Sequence, residues 1–248
     1  MDLVLLETVD LVKAYGGRTV VDQVSFHVYD REIVGLLGRN GAGKTTSFRM
    51  TVGMVTPDSG KVVFEGREIT TLPMYQRARN GMGYLSQEPS IFHRLTVEQN
   101  LLAILETMSL TRRDRISRCN ELIDNFGLEK IRKSQARVLS GGERRKLEIA
   151  RALVTNPSLI LLDEPFSGVD PIAVEDLQNE IMRLLHEKGI SILITDHNVE
   201  RTLEVVNRAY ILNEGCVLAS GAPRDLIKDE KVRKAYLGHT FKGDEFDQ

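Results

Sequence analysis

A glycine-rich segment near the N-terminus constrains the fold more than any other feature of the sequence. Its residues, Gly38-Arg39-Asn40-Gly41-Ala42-Gly43-Lys44-Thr45, fit the P-loop pattern G-x-x-x-x-G-K-[ST]. An apolar run at 33–37 precedes it and a helical pattern follows it, which is the strand–loop–helix context that the motif requires. Glycines let backbone N–H groups surround a polyphosphate, and Lys and Thr at these positions reach the phosphates and Mg²⁺. The alternative, an ordinary glycine-rich turn, does not account for every fixed position being filled.

Composition narrows the class of protein. The chain has 248 residues, of which 42% are hydrophobic and 27% charged, enough for one large domain or two modest ones. A formal net charge of −2 means that no global basicity points to nucleic acid, so no nucleic-acid partner is expected. Cys119 and Cys216 have no paired or metal-ligand spacing and are interpreted as reduced thiols. No apolar run approaches a membrane span of ~20 residues, and the start lacks signal-peptide features. We expect a cytosolic protein unless a partner holds it at a membrane.

The order of apolar patterns predicts an α/β core. Two β-rich segments between 5 and 28 flank a turn at Gly16-Gly17, and Val62-Val63-Phe64 returns as a strand. Continuous apolar runs at 33–37, 159–162 and 190–194 are typical of parallel strands buried on both faces, and a helix at 172–188 joins the last two. Two short strands near Tyr210 and Val217 follow, and polar helices end the chain.

The segment from 89 to 156 has a different character. Helical spacing at 96–105 and again at 111–125, ended by Gly127, predicts a helical insertion into the core. The predicted organisation is one domain: core at 1–88 and 157–222, helical subdomain at 89–156, and a C-terminal helical extension and tail at 223–248.

Two carboxylates end one buried strand. Asp163 and Glu164 follow the run at 159–162, at the edge of the sheet where ligands of open α/β folds bind. Asp163 suits the Mg²⁺ contact of a P-loop site, and Glu164, expected to point the other way, can face the attacking water as a general base. A strand-end turn with solvated acids is the alternative, and the P-loop makes it the weaker one.

A second helix start also presents donors to an anion. Ser140-Gly141-Gly142-Glu143 fits a capping box before a helix predicted from 144 to 154. A well-capped helix is the simpler interpretation, and it is compatible with the functional one. The chain thus has two anion-binding helix starts but only one P-loop. We therefore predict that the second helix start completes the nucleotide site of another copy of the chain.

This pair of motifs resembles that of the ATP-binding subunits of ABC transporters, and the resemblance covers essentially the whole chain. It implies a P-loop NTPase core with a mainly parallel sheet, an N-terminal antiparallel β subdomain and an inserted helical subdomain. It also implies two cofactors, ATP and Mg²⁺. Tyr15 takes the place of the aromatic that stacks on adenine, Gln87 fits the Q-loop, residues 167–170 fit the D-loop, and His197 fits the switch histidine.

The resemblance assigns roles to particular residues. The expected catalytic residues are Glu164, His197 and Lys44, and the expected Mg²⁺ ligands are Thr45, Gln87 and Asp163. The expected ATP-binding residues are Tyr15, Arg39, Asn40, Gly41, Ala42, Gly43, Lys44, Thr45, Thr46, Ser140, Gly141, Gly142 and Glu143. Phe92, His93 and Arg94 are expected to couple the chain to a partner, and a core position is the alternative for Phe92.

Within this family, the segments at 88–97, 140–145, 163–166, 196–199 and 236–241 are similar to the ATPase of bacterial lipopolysaccharide-export transporters. His93 departs from that pattern, in which a second arginine is expected, and so does the tail at 242–248. The similarity implies an ATP hydrolase acting as a homodimer with two membrane-spanning transporter subunits, held peripherally at the cytoplasmic face of the inner membrane.

Four other functions remain possible at this stage. The first is a P-loop kinase or other soluble NTPase, an interpretation that leaves the segment at 139–143 unexplained. The second is a non-catalytic ATP-dependent switch or scaffold, which would not need Glu164 and His197. A soluble ABC ATPase of DNA repair or translation usually carries long coiled-coil insertions or tandem cassettes, which are missing here. The ATP-binding subunit of a branched-chain amino-acid importer shares many of the same segments.

Overall fold

Two β-sheets and a set of helices form the chain in the computed structural model, which describes residues 3–88, 90–167 and 171–237. The strands are β1 (Val4–Tyr15), β2 (Arg18–Tyr29), β3 (Ile33–Gly38), β4 (Ser59–Phe64), β5 (Arg67–Glu68), β6 (Met82–Leu85), β7 (Leu159–Asp163), β8 (Ser191–Thr195), β9 (Arg208–Asn213) and β10 (Cys216–Gly221). The helices are α1 (Lys44–Val52), α2 (Met74–Arg79), α3 (Val97–Leu105), α4 (Arg112–Asn125), α5 (Gly141–Ala152), α6 (Pro171–Lys188), α7 (Val199–Leu203), α8 (Pro223–Leu226) and α9 (Glu230–Val232).

The smaller sheet is antiparallel and has the order β2-β1-β4-β5. β1 and β2 form a hairpin in which Tyr15 pairs with Arg18, and both residues of the turn, Gly16 and Gly17, have positive φ. Positive φ is a conformation that glycine adopts without steric penalty. The predicted antiparallel β subdomain and its turn are therefore confirmed.

The larger sheet has the order β10-β9-β3-β8-β7-β6 and is parallel except for the β9–β10 pair. Every residue of β3, β7 and β8 is buried, as their continuous apolar runs predict. Alternate residues enter two apolar clusters: Ile160 and Leu162 lie in one, Leu159 and Leu161 in the other. The sheet therefore has a core on each face, which confirms the predicted mainly parallel α/β fold.

The helical insertion shares one of these cores. Leu101 of α3, Leu122 of α4 and Leu147 of α5 belong to the same cluster as Ile160 and Leu162 of β7. Thr96 begins α3 with a capping box, and the Thr111 side chain caps α4, which satisfies backbone donors at both starts. The proposed limits of this subdomain, 89–156, stay a prediction.

Several elements differ from the sequence patterns. α5 begins at Gly141, three residues earlier than predicted, because the Ser140–Glu143 capping box already closes the first turn. The short elements α2, β5 and β6 are not predicted: each is six residues or fewer, too short for a periodicity to emerge. No helix in the described part of the chain is long and apolar enough to cross a membrane. Residues 168–170 of the predicted D-loop at 167–170, and the C-terminal residues 238–248, lie outside the described residues.

Candidate active site

The P-loop lies between the carboxyl end of β3 and the start of α1, at the centre of the larger sheet. Gly38 has φ 150°, and a Cβ there would come within 2.3 Å of the Leu212 carbonyl oxygen. Gly43 has φ 97°, and its Cβ would come within 2.7 Å of the Val20 carbonyl oxygen. Neighbouring backbone therefore requires glycine at both fixed positions of the motif.

Lys44 folds back into this loop. It is only 5% exposed, and its Nζ donates hydrogen bonds to the carbonyl oxygens of Gly38 at 2.6 Å and Arg39 at 3.1 Å. Burial lowers the pKa of Lys44, while the charges of Glu164 and Asp196 act in the opposite direction. The ammonium group therefore lies in the loop at the sheet edge where these two carboxylates gather.

Asp163 ends β7 and is buried beside a tyrosine. It pairs in register with Thr195 of β8, and the Tyr84 hydroxyl donates to its Oδ2 at 3.3 Å. Burial raises the pKa of Asp163, and burial followed by the Asp163 charge raises the pKa of Tyr84 to about 12. A desolvated carboxylate beside a P-loop is suited to a cation. Tyr84 was missed by the sequence analysis because β6, which carries it, was missed.

Glu164 and His197 meet just beyond the strand ends. Glu164 leaves β7 with φ 46°, and its backbone N–H donates to the Thr195 carbonyl at 2.7 Å. Its orientation is therefore set by this left-handed turn, and the strand alternation used in the sequence analysis does not reach it. His197 is 53% exposed, and its Nδ1 lies 3.5 Å from Glu164 Oε2. The structure brings together the two residues that the sequence placed 33 positions apart.

Asp196 holds the two turns of this site together. It is fully buried; its Oδ2 accepts from the Phe166 backbone N–H at 3.0 Å and its Oδ1 from that of Asn198 at 2.8 Å. These bonds link the turn after β7 to the turn after β8, and His197 Nδ1 lies 3.5 Å from Asp196 Oδ1. Asp196 is a functional residue that was not predicted from the sequence, although an acid between a buried strand and the predicted switch histidine was a usable signal.

The other predicted nucleotide and Mg²⁺ ligands near the N-terminus lie in the P-loop, at the β1–β2 hairpin tip, at the start of α1 and just after β6. An open cleft of about 530 Å³ runs between the loop, the β2 start and the β9–β10 turn, and its lining includes Arg39, Asn40, Gly41 and Ala42. Tyr15, at the tip of the β1–β2 hairpin, is 50% exposed. The first helical turn of α1 carries Thr45 and Thr46, both half-buried. Gln87, two residues past β6, is exposed.

The segment Ser140–Gly142 is open on its outer side. The Ser140 side chain accepts from the Glu143 backbone N–H at 3.3 Å, and the Glu143 carboxylate accepts from both the N–H and the hydroxyl of Ser140. These bonds lower the pKa of Glu143. Ser140, Gly141 and Gly142 are exposed, and within the described part of the chain a Cβ on either glycine would meet no atom within 4 Å. The predicted capping box is confirmed, and the helix start faces open space.

Phe92, His93 and Arg94 are all exposed, so the core alternative for Phe92 is wrong. The Phe92 ring is 47% exposed and lies 4.7 Å from the Arg151 guanidinium, which donates to the Ser90 carbonyl. The buried side chain of Asn100 accepts from the Phe92 N–H at 2.8 Å and donates to the Phe92 carbonyl at 3.1 Å. The loop is therefore fixed from the inside while its aromatic ring faces outward.

Comparison with known proteins agrees with this geometry. The sequence profile of the ABC transporter family matches residues 21–167, and that of the branched-chain amino acid ATP-binding cassette transporters matches residues 216–242. The chain is 52% identical to the lipopolysaccharide export system ATP-binding protein LptB of Haemophilus influenzae, over 96% of this chain and 99% of that one. It is 52% identical to the protein of the same name from Escherichia coli K12, over 94% and 97%.

Solved structures give the same result. An ATP-binding cassette of an ABC transporter in its ADP conformation superposes with a TM-score of 0.85 at 28% identity, covering 96% of this chain and all of that one. A nucleotide-free cassette gives a TM-score of 0.84 at the same identity. The family profile spans more than half of the chain and the relatives nearly all of it. This chain belongs to the ABC transporter family, as an ATP-binding subunit whose hydrolysis of ATP is coupled to transport.

Proposed function

We propose that this chain powers the extraction and export of lipopolysaccharide from the inner membrane of a bacterium. The identity of about half of all residues to LptB proteins, over nearly the full length of both chains, supports this cargo. The observation that carries the chemical part is the meeting of Lys44, Asp163, Glu164 and His197 at one edge of the larger sheet.

ATP binding follows from the P-loop geometry. The backbone N–H groups from Gly41 to Thr46 face the phosphates at the start of α1, where the helix dipole favours negative charge. Lys44 exchanges its bonds to the Gly38 and Arg39 carbonyls for the β- and γ-phosphates. Tyr15, half-exposed at the hairpin tip, stacks on the adenine ring, an interaction of about 1–3 kcal/mol.

The residues at this edge fit a Mg²⁺ ion that is shared with the nucleotide. No group of three or more acidic, His or Cys side chains among the described residues forms a metal site by itself. Mg²⁺ commonly takes one or two protein oxygens and fills its octahedron with waters and phosphates. Asp163, Thr45 and Gln87 are the protein ligands that we propose, and the buried position of Asp163 fits this role. Held by these residues, Mg²⁺ would neutralise charge on the phosphates.

Hydrolysis uses the pair beyond the strand ends. Glu164 takes a proton from the attacking water as general base. His197, with its Nδ1 beside the Glu164 carboxylate, contacts the γ-phosphate through its other ring nitrogen, Nε2, and Lys44 stabilises the charge that develops there. Asp196 keeps the two turns in register so that this pair stays aligned.

The site is completed by a second copy of the chain. Two copies sandwich two ATP molecules head to tail, with Ser140, Gly141 and Gly142 of each copy facing the P-loop of the other. The open space around this helix start supports the arrangement, because no atom of the described residues contacts the outward side of these glycines. The Ser140 hydroxyl and the N–H groups of the first turn of α5 are then available to the γ-phosphate.

Two membrane-spanning subunits receive the motion of this dimer. The outward Phe92 ring, with His93 and Arg94, is an anchor for a short helix of such a subunit. This contact holds the chain peripherally at the cytoplasmic face of the inner membrane. The profile match at 216–242 makes a branched-chain amino-acid importer the second candidate function.

Isolation of the intact complex from membranes tests the proposal. Membrane subunits should co-purify, and the complex in vesicles should hydrolyse Mg-ATP faster with lipopolysaccharide than with the same vesicles alone. Stimulation by a branched-chain amino acid with its binding protein, and none by lipopolysaccharide, would support the importer. Absence of ATP turnover in the intact complex would contradict both candidates.

A further inference from the structure

One arginine is entirely inside the protein and plays no part in the site described so far. Arg77 of α2 is 1% exposed and is the largest fully buried side chain in the described residues. No carboxylate in the described part of the chain pairs with it; burial alone lowers the pKa of its guanidinium to about 10. A buried cation of this kind is costly unless each of its donors is satisfied.

Backbone carbonyl oxygens accept four hydrogen bonds from Arg77, at least one from each guanidinium nitrogen. Its Nη1 donates to Met50 at 2.9 Å and to Thr51 at 2.7 Å, and these carbonyls belong to the last turn of α1. Its Nε donates to Leu72 at 2.8 Å and its Nη2 to Thr70 at 2.8 Å, in the connection between β5 and α2. One planar fork therefore joins the end of the P-loop helix to the segment that leads into α2.

The fit around the fork is close. Gly53, which ends α1 with φ 89°, has no room for a side chain, since a Cβ there would lie 2.6 Å from Arg77 Nε. A cation at the carboxyl end of a helix also interacts favourably with the negative end of the helix dipole. α1 has nine residues, so its phosphate-binding start lies about 14 Å from Arg77 along a single rigid element.

The other side of Arg77 borders an apolar groove. This groove, which we name the partner groove, is lined by residues of six helices and strands, including Val52 at the end of α1, Met74 and Ala78 of α2, Ile104 of α3 and Arg151 of α5. The guanidinium of Arg151 also lies 4.7 Å from the centre of the Phe92 ring, so the groove adjoins the loop at 92–94 that we propose contacts the membrane subunits. Arg77 thus lies between the groove and the end of α1, and Val52, the last residue of α1, lines the groove itself.

We propose that Arg77 is a positioning residue that transmits occupation of the partner groove to the P-loop. The proposal rests on the proposed function, in which a helix of a membrane subunit docks beside Phe92. A helix in the groove presses on α2 and on the connection before it. The fork makes two hydrogen bonds on each side, so this displacement moves the carboxyl end of α1, and with it Lys44 and Thr45 at the other end.

The test is a matched pair of substitutions on one helix. Arg77→Lys keeps the charge but loses the planar fork that bonds four carbonyls, whereas Arg79→Lys makes the same change at an exposed position of α2. For each protein, melting temperature, the KM for ATP and turnover are measured for the isolated chain and for the complex with its membrane subunits. The quantity that decides is the ratio of turnover in the complex to turnover alone.

We expect Arg77→Lys to reduce this ratio by a factor in the range of about 5–150 that is typical of coupling between sites, and Arg79→Lys to leave it at the wild-type value. Gly53→Ala displaces the fork without removing it and should reduce the ratio in the same direction; it serves as the second variant if Arg77→Lys does not fold. Variants that melt at a lower temperature but retain the wild-type ratio and KM would overturn the inference and leave Arg77 a purely structural residue.

The ratio of turnover measured for the wild-type protein tests the proposed function separately from this inference. A wild-type ratio well above one supports the docking of a membrane partner, whatever the variants do. A wild-type ratio of one would contradict the coupling on which both the proposed function and this inference depend.

Discussion

The strand-edge site and the outward segments of this chain both contain glycines, but the glycines of the first are enclosed by backbone and those of the second face open space. The strand-edge site comprises Lys44, Asp163, Glu164 and His197 with the P-loop, and the outward segments are 140–142 and 92–94. At the strand edge, neighbouring backbone forbids any side chain at Gly38 or Gly43. In the outward segments, no atom of the described residues lies within 4 Å of a Cβ on Gly141. The fold of the chain therefore requires glycine at the strand edge, whereas at Gly141 the described part of the chain leaves room for a side chain.

The largest expected effect is at the strand edge. Glu164→Gln keeps the shape of the side chain but removes the proton acceptor, so turnover should fall by about 10²–10⁴-fold. ATP binding, measured by calorimetric titration, should persist. A variant that hydrolyses ATP at near the parent rate would show that Glu164 is not the base.

Paired glycine substitutions sharpen the comparison directly. Gly43→Ala forces a left-handed residue against the Val20 carbonyl and should lower stability by about 1–3 kcal/mol or more, a fall of several degrees in melting temperature. Gly141→Ala should leave the melting temperature within a degree or two and still reduce turnover, because its methyl group enters the site of the partner copy. Equal melting temperatures for the two variants would contradict the distinction between the two regions.

Asp163 is expected to reduce the stability of the nucleotide-free chain. Its pKa is raised by burial, so the folded chain holds that proton more tightly than the unfolded chain does. The resulting loss in the free energy of unfolding is absent below the pKa of Asp163 in the unfolded chain, about 3.9. It grows as the pH rises to the pKa of Asp163 in the folded chain and is constant above that pH. Asp163→Asn should therefore raise the melting temperature at pH 7 and abolish Mg²⁺-dependent turnover.

The control for this prediction is to repeat the melting measurements at lower pH. The difference in melting temperature between Asp163→Asn and the parent should shrink as the pH falls and Asp163 takes up its proton. A parent that is more stable than the variant at pH 7 would contradict the assignment of a destabilising, desolvated carboxylate.

The smallest expected change in stability belongs to Phe92. The ring is 47% exposed and the loop is held by Asn100, so Phe92→Ala should alter the melting temperature far less than the ~3–5 kcal/mol of a core truncation. Co-purification with membrane subunits, or transport in cells, should fail. Full transport by a stable Phe92→Ala protein would remove this loop from the docking surface.

The same contrast explains how much the sequence could predict. Continuous apolar runs identified β3, β7 and β8, and the polar residues that follow them, Asp163, Glu164 and His197, were assigned correctly to one sheet edge. Parallel strands bring their carboxyl ends together whatever their separation along the chain. The identity of these residues and their order were therefore sufficient to predict that they meet.

Other features depend on tertiary contacts that no local pattern encodes. β6 and α2 are short, so Tyr84 beside Asp163 and the Arg77 fork under α1 had no periodic signal. The role of Asp196 follows from two backbone N–H groups that approach it only in the folded chain. The exposure of Phe92 was left open because an aromatic residue in a loop is compatible with both a core and a surface position.

The central claim is that each nucleotide site is made from the P-loop of one copy and Ser140–Gly142 of the other. Lys44→Ala and Gly141→Asp should each abolish turnover, the first by removing the cation of the P-loop and the second by placing a carboxylate against the γ-phosphate. A 1:1 mixture of the two proteins, after subunit exchange, is the most direct test. Half of its dimers are mixed, and each mixed dimer has one intact composite site of two, so the mixture should regain about a quarter of the parent rate. A mixture as inactive as either variant, with subunit exchange demonstrated, would contradict the account.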